Sequence, residues 1–152
     1  MISVRYCRLT VLAGVLLAVT IARVLAAPVV NEPINMEAVQ LAPQQQNGVE
    51  YLTGGIGQDE SQALIQTRGY NLHIVSSTGP KDEYLPNVNI TINKAGGEPV
   101  LSLIQVGPMV YVKLPAGKYQ IVSSREGHEN RRSIVVDGKG TQTVNVHWND
   151  GY

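Results

Sequence analysis

Apolar and polar residues alternate along most of the chain after residue 70. The alternation comes in short stretches separated by turn residues, which is typical of an all-β protein. Glycine- and proline-containing turns between the stretches predict antiparallel hairpins. The pattern predicts seven strands: YNLHIVS (70–76), NVNITIN (87–93), PVLSLIQ (99–105), PMVYVKL (108–114), KYQIVSS (118–124), RRSIVVD (131–137) and TQTVNVHW (141–148).

The same alternation assigns side chains to two faces, because residues two apart point to the same side of a strand. Polar residues predicted to face solvent are Asn87, Asn89, Asn93, Thr143, Asn145 and His147. Burial of each aliphatic side chain stabilises a fold by about 1.5–3 kcal/mol, which is sufficient for a domain of this size. The apolar residues predicted to face inwards are Val88, Ile90, Ile92, Val110, Val112, Leu114, Tyr119, Ile121, Val144, Val146 and Trp148.

The amino terminus has the order of a secretory signal peptide. Two arginines precede the apolar run LTVLAGVLLAVTIA, and small residues follow it. We expect cleavage after Ala26. The alternative is an uncleaved membrane anchor, since the apolar run from Leu9 to Leu25 is close to the lower limit for a spanning helix. Arg23 interrupts that run and favours cleavage.

Processing changes both the thiol content and the charge. The single cysteine, Cys7, lies inside the predicted signal. Removing the first 26 residues takes away three arginines and no acid, which leaves nine positive against twelve negative side chains. A net charge of −3 argues against nucleic acid as a partner. We therefore expect a periplasmic or secreted protein, with no stable membrane insertion after signal cleavage.

The stretch between the signal and the strands is rich in Pro, Gln and Asn and has no sustained apolar period. Such a composition is typical of a mobile leader. The predicted organisation is a signal peptide (1–26), a disordered leader (27–50), a glycine-rich loop with a short helix (51–69), a β-sandwich domain (70–148) and a tail (149–152).

The segment YLTGGIGQDESQAL predicts a helix of about nine residues after a glycine-rich loop. Asp59 and Gln62 have the spacing of a capping box, in which Asp59 accepts a backbone N–H of the first turn. Ala63 and Leu64 form a narrow apolar stripe, and Gly69 is expected to end the helix. A helix this short is marginal in water by itself and must pack on the domain to persist.

The glycine-rich loop does not fit a cofactor site. Glu60 stands where a dinucleotide fingerprint needs a glycine, and the two neighbouring acids would repel a phosphate. No cofactor is predicted. Two alternatives stay open: the loop only anchors the helix, or it also contacts a partner. In the first case we expect Ile56 to plug the edge of the sandwich. The candidate contact residues are Thr53, Gly54, Gly55, Ile56, Gly57 and Glu60.

No catalytic or metal site is predicted. The three histidines, His73, His128 and His147, are not spaced like metal ligands, although His73 and His147 could meet if the first and last strands are neighbours. No serine lies in a Gly-x-Ser-x-Gly elbow. The turn at Pro115-Ala116-Gly117 is expected to be sensitive to substitution if Gly117 takes positive φ.

The segment LPAGKYQIVSS resembles the carboxypeptidase regulatory-like group of transthyretin-like sandwiches. The recurring element is Leu-Pro-x-Gly before a strand that begins with Tyr, here Leu114, Pro115, Gly117 and Tyr119. The resemblance covers residues 70–148. It implies a seven-stranded antiparallel Greek-key sandwich with a short helix before it. The upstream YLTGGIGQDESQAL resembles the front half of small exported bacterial proteins of unassigned activity.

The resemblance implies a non-catalytic module that binds another envelope protein or a surface component. One transthyretin relative, the hydroxyisourate hydrolase, is an enzyme whose members end in Tyr-Arg-Gly-Ser. This sequence ends HWNDGY instead, which removes the main reason to transfer that activity. The alternative function is a small transthyretin-related hydrolase or a metal-dependent enzyme.

Overall fold

The computed structural model describes residue 39 and residues 41–149, which belong to one structural unit. The predicted signal peptide, most of the predicted leader and the last three residues lie outside the described residues. None of the described helices is long and apolar enough to cross a membrane. The described elements are β1 (Gln44–Gln46), β2 (Val49–Gly54), α1 (Gln58–Gln66), β3 (Leu72–Thr78), β4 (Glu83–Tyr84), β5 (Val88–Lys94), β6 (Pro99–Val106), β7 (Met109–Lys113), β8 (Gly117–Arg125), β9 (His128–Val136) and β10 (Gln142–Trp148).

The strands form two sheets. The first sheet has the order β1-β2-β7-β3-β10, with β4 paired to the end of β3, and the second has the order β6-β5-β8-β9. The prediction of a mostly β protein with one short helix before the main strands is confirmed. Each of the seven predicted strands overlaps β3 or one of β5 to β10. The sequence pattern did not predict β1, β2 or β4.

One pair of strands differs in direction from the antiparallel expectation. β10 runs parallel to β3, with Val144 opposite Ile74 and Trp148 opposite Thr78. Turn residues set the direction only of strands that a short turn joins. β9 and β10 lie in different sheets, so the turn between them does not determine how β10 pairs.

The inner faces of the two sheets share one hydrophobic core. Ile92 of β5 lies opposite Ile121 of β8 in the second sheet, and both are fully buried. The first sheet contributes Ile74, Val112 and other aliphatic residues to the same core. All the residues predicted to face inwards belong to this core; Val144 alone among them is partly buried.

A second, smaller cluster lies on the other face of the first sheet, where Leu64 of α1 packs with side chains of β2 and the central strand β7. Both faces of β7 are therefore buried, and buried and exposed residues do not alternate along it. Leu64 of α1 is fully buried there. The cluster contains Leu52, Leu64, Tyr70, Met109 and Tyr111, with Leu41 packed against it.

The predicted leader and loop do not extend as far as the sequence suggested. Residues 44–46 and 49–54 form a hairpin at the edge of the first sheet, so a disordered leader up to residue 50 and a loop from residue 51 are wrong for these positions. Asn47 and Gly48 both have positive φ (51° and 77°), as a two-residue hairpin turn requires. Tyr51 is buried in the core and holds the hairpin in place.

The helix has the predicted length of nine residues but begins differently. Its N-cap is Gly57, with no side-chain capping bond, so the prediction that Asp59 caps the helix is wrong. Because Gly57 breaks the extended chain at φ 89°, Asp59 already lies inside the first turn. There its charge complements the helix dipole without capping a backbone group.

The turn before β8 explains the spacing of Leu-Pro-x-Gly-x-Tyr. Gly117 does not take positive φ, so the turn is of another type than expected. A Cβ at Gly117 would instead lie 3.3 Å from the ring of Tyr119. The Tyr119 hydroxyl donates a hydrogen bond to the carbonyl of Pro115 at 2.9 Å. The tyrosine ring therefore folds back over the glycine and closes the turn.

Candidate interaction surface

Residues 55–57 connect β2 to α1, and side chains of the helix hold their backbone. Glu60 accepts a hydrogen bond from the N–H of Ile56 at 2.8 Å. The Ser61 hydroxyl lies within donor distance of the carbonyl oxygens of Gly55 (2.8 Å) and Gly57 (2.7 Å). The backbone of the loop is thus fixed from the helix side.

Glycines allow this close approach at three positions. A Cβ on Gly54 would lie 2.6 Å from the Glu60 carboxylate, and a Cβ on Gly107 would overlap the carbonyl oxygen of Gly54. Gly55 has φ 89°, and its Cβ would lie 3.0 Å from Met109. A larger residue at Gly107 would force two backbones apart, whereas one at Gly54 or Gly55 would displace the side chain of Glu60 or Met109.

The side chain of Ile56 is 67% exposed. The prediction that Ile56 plugs the edge of the sandwich is therefore wrong. The space beneath the loop is already filled, because Met109 lies against Gly55 and Leu64 is fully buried in the same cluster. The positive φ values of Gly55 and Gly57 carry the chain outwards between them, and Ile56 stands in solvent.

A groove of about 600 Å³ lies on one side of Ile56. It separates the β1–β2 hairpin from β6, the edge strand of the second sheet. Four of the candidate contact residues line it, namely Thr53, Gly54, Ile56 and Glu60. The Thr53 hydroxyl is buried and has no hydrogen-bond partner among the described residues.

Ile104, on the β6 wall of this groove, is 77% exposed and was missed from the sequence. The pairing of β5 with β6 shifts register between Val88 and Ile90, where Gln105 takes positive φ (51°). Ile104 points outwards by simple alternation, since Leu101 and Leu103 are buried. The β-bulge adds Gln105 to the outer face and returns Val106 to the core. The adjacent apolar residues Leu103 and Ile104 break the alternation of apolar and polar residues, and this was the available signal.

A second groove, of about 300 Å³, lies on the other side of the loop. The remaining candidate contact residues, Gly55 and Gly57, line it together with Ile56. Tyr84, whose side chain is partly exposed, forms part of its other wall with Pro86. Ile56 belongs to both grooves, and we call Ile56, Ile104 and Tyr84 the Ile56 surface.

The histidines do not come together. β3 and β10 are neighbours, but His73 lies opposite Thr143, and His147 lies four residues further along, opposite Ser77. His73 stacks on the ring of Tyr111 with centroids 3.6 Å apart. Burial, with a smaller effect from the Arg68 cation, lowers the pKa of His73 and favours the neutral ring. The described residues contain no group of three His, Cys, Asp or Glu side chains that could hold a metal.

A serine, a histidine and an aspartate do meet at the end of β3, which the sequence did not predict. Asp82 Oδ1 lies 2.9 Å from His147 Nδ1, and Ser77 Oγ lies 3.3 Å from the same nitrogen. In a Ser-His-Asp triad, the serine and the carboxylate contact different nitrogens of the imidazole. Here they share one, so the histidine cannot relay a proton between them. The contacts instead tie the turn after β3 to β10.

A comparison of the sequence with protein-family models and with curated proteins finds no match.

Proposed function

We propose that this chain is an exported, non-catalytic β-sandwich module of the cell envelope that binds another envelope protein or a surface component. Its fold would be the transthyretin-like Greek key. The strand order of the second sheet supports this topology. After β5 and β6 the chain leaves for β7 in the other sheet and returns as β8, beside β5.

The observation that carries the proposal is the exposure of Ile56 on a backbone that is held in place. An exposed apolar residue on a mobile loop is common and needs no explanation. Ile56 differs, because Glu60 and Ser61 bond the peptide groups around it. A residue whose backbone is already ordered loses less conformational entropy on binding and can act as an anchor.

The surroundings of Ile56 favour a protein partner. Exposed Ile104 and Tyr84 line the two grooves on the sides away from Ile56, so apolar groups flank polar and backbone groups. Interfaces commonly combine such apolar centres with a polar rim. An apolar side chain of the partner would fill either groove beside Ile56.

Site-specific cross-linking in the producing cell tests this proposal. A photoreactive amino acid replaces Ile56 in one protein and Ile65 in another, since Ile65 is also an exposed isoleucine but lies on α1 and lines neither groove. We expect a discrete adduct from position 56 and none from position 65. Equal adducts from both positions, or none from position 56, would contradict a partner site at Ile56.

Substitution then tests whether the side chain itself binds. Ile56→Ser should reduce capture of the cross-linked partner at least tenfold, while Ile65→Ser leaves capture unchanged. Both proteins should keep their melting midpoints, because both side chains are exposed. Retention of the partner by Ile56→Ser would refute the anchor role.

The proposed export has its own test. Intact-mass measurement of protein from the producing cell should give a chain that starts at Ala27, within a residue or two. Full-length protein in a membrane fraction would show instead that the apolar segment is an anchor.

The alternative, a small hydrolase or metal-dependent enzyme, would have to use the Ser77–His147–Asp82 cluster, although Ser77 and Asp82 share one nitrogen of His147. An activated serine would react with a fluorophosphonate probe, and a metal site would retain zinc or copper after dialysis. We expect no labelling of Ser77 and no bound metal. Stoichiometric labelling that Ser77→Ala abolishes, or metal retention that His147→Ala abolishes, would favour the enzyme.

A further inference from the structure

A third groove, of about 550 Å³, lies on the second sheet and shares no lining residue with the grooves beside Ile56. Three stretches form it: residues 93–97, 118–120 and 133–135. Its volume falls within the range of about 300–1,000 Å³ that is usual for small-ligand sites.

Polar, uncharged side chains cross the floor of this groove in a row. Asn93 of β5 pairs with Gln120 of β8, and Gln120 pairs with Ser133 of β9, so the three side chains stand next to each other. Arg131 donates a hydrogen bond to Gln120 Oε1 at 3.3 Å, which orients the amide. Two amides and a hydroxyl in a row can donate to and accept from several hydroxyl groups of one ligand.

The charged residues that line the groove are both exposed cations, Lys94 and Lys118. Lys118 lies two residues from Gln120 and shares the face of the polar row, whereas Lys94, opposite Tyr119, starts from the other face at the end of β5. The turn at one end contains Gly96 and Gly97, and the space around both glycines is open. Among the described residues, no atom outside the adjacent residues lies within 4 Å of a Cβ placed on either glycine, so the two glycines present backbone to the groove. The groove attracts an anion and presents neutral hydrogen-bonding groups beside the charges.

We propose that this groove, which we call the lysine groove, binds a carboxylate-bearing saccharide. Lys118 would hold a carboxylate beside the row, and Lys94 would hold one at the end of the groove. The row of Asn93, Gln120 and Ser133 would bind the sugar hydroxyls. A nucleic acid carries a charge at every phosphate and calls for a longer basic surface than two lysines supply. Exposed Val135 gives the groove an apolar contact for the face of a sugar ring.

Affinity electrophoresis tests the proposal, with polygalacturonate as the probe and neutral dextran as its control. We expect polygalacturonate to retard the mature protein, more strongly at low salt, and dextran to leave it unretarded. The double variant Lys94→Glu/Lys118→Glu should lose at least tenfold in affinity. The matched control is Lys113→Glu, an exposed lysine outside this groove, which should bind as the unchanged protein does.

Three results would overturn the proposal: no retardation by polygalacturonate, unchanged binding by the double variant, or an equal loss in Lys113→Glu. Inorganic polyphosphate separates sugar recognition from simple attraction of anions. We expect Gln120→Ala to weaken binding of polygalacturonate more than binding of polyphosphate, and an equal effect on both would refute the saccharide assignment. Ile56→Ser should bind polygalacturonate normally, since this site is independent of the Ile56 surface.

Discussion

Two tight connections in this molecule contain glycines, and they differ in whether a large side chain beside the glycine is buried or exposed. In the turn at residues 115–117, the ring of Tyr119 folds over Gly117, and its hydroxyl bonds the backbone of Pro115. In the loop at residues 55–57, Glu60 and Ser61 bond the backbone from the helix side. The first connection buries its aromatic side chain, whereas the second leaves Ile56 exposed.

The difference separates a structural turn from a candidate contact surface. Tyr119 contributes burial and a hydrogen bond to folding, so folding alone explains its place in the turn. The loop also orders its backbone, which costs conformational entropy, but gains no burial from Ile56. Backbone order without burial of the ordered side chain is what a pre-formed anchor requires.

We expect the largest loss of stability from a substitution at Gly107, which lies against the backbone of Gly54. Gly107→Ala would place a Cβ onto the carbonyl oxygen of Gly54, and neither backbone can move without disturbing β2 or β7. We expect a loss of about 3 kcal/mol in the free energy of unfolding, measured by urea denaturation. Gly140→Ala is the control, because space around Gly140 is open and its φ is ordinary. A loss below about 0.5 kcal/mol for Gly107→Ala would show that the contact is not needed.

Substitutions within the loop should separate backbone strain from crowding. Gly57 lies at φ 89° and ψ 166°, a region that only glycine readily occupies, with open space around it. Gly57→Ala should therefore cost about 1–3 kcal/mol through strain alone. Gly55→Ala should cost more than Gly57→Ala, because its Cβ would also crowd Met109. The reverse order in thermal melting would mean that Met109 yields freely.

In the other turn, Tyr119→Phe removes one hydrogen bond and keeps the ring. We expect a loss of about 1 kcal/mol at neutral pH. Burial raises the pKa of Tyr119 above its ordinary value of 10.0. Above pH 10 the tyrosine ionises in the unfolded chain before it ionises in the folded one, so rising pH favours unfolding.

The difference in stability between the unchanged protein and Tyr119→Phe should therefore shrink as pH rises above 10. Denaturation at pH 7 and at several values above pH 10 measures it. Tyr70 must be kept in both proteins, since burial and Glu50 raise its pKa to about 12 and it gives a similar dependence. A constant difference across this range would contradict a buried, neutral Tyr119 hydroxyl.

Most of the fold could be predicted from the sequence because apolar and polar residues alternate strictly along most of its strands. In β5, Val88, Ile90 and Ile92 are buried and their neighbours are not, so alternation alone located the inner face. The pattern failed at β7, where α1 packs on the outer face and Met109 is buried beside Val110. A contact from an element far along the chain cannot be read from the period of one strand.

The candidate interaction surface could be predicted from the sequence only in part. Asn47-Gly48 is a strong hairpin signal, but it follows a Gln-rich stretch that has no apolar alternation. The alternation therefore did not predict β1 and β2. The six candidate contact residues do line the two grooves, but the exposure of Ile56 depends on Met109 and Leu64 filling the space below. Ile104 lies on the outer face by alternation with buried Leu101 and Leu103, so an apolar residue at an outward position was a signal present in the sequence.

The smallest effect on stability is expected at Ile56, where the contrast between the two connections is sharpest. Ile56→Ser removes an exposed side chain that lies over neither core cluster, so the free energy of unfolding should change by less than about 0.5 kcal/mol. Urea denaturation of Ile56→Ser beside Ile65→Ser measures this against a second exposed isoleucine. A loss of about 2 kcal/mol for Ile56→Ser alone would mean that Ile56 is buried in solution after all, as such a loss is typical of a core aliphatic side chain. The loop would then be a structural turn like residues 115–117, and the proposed anchor would lose its basis.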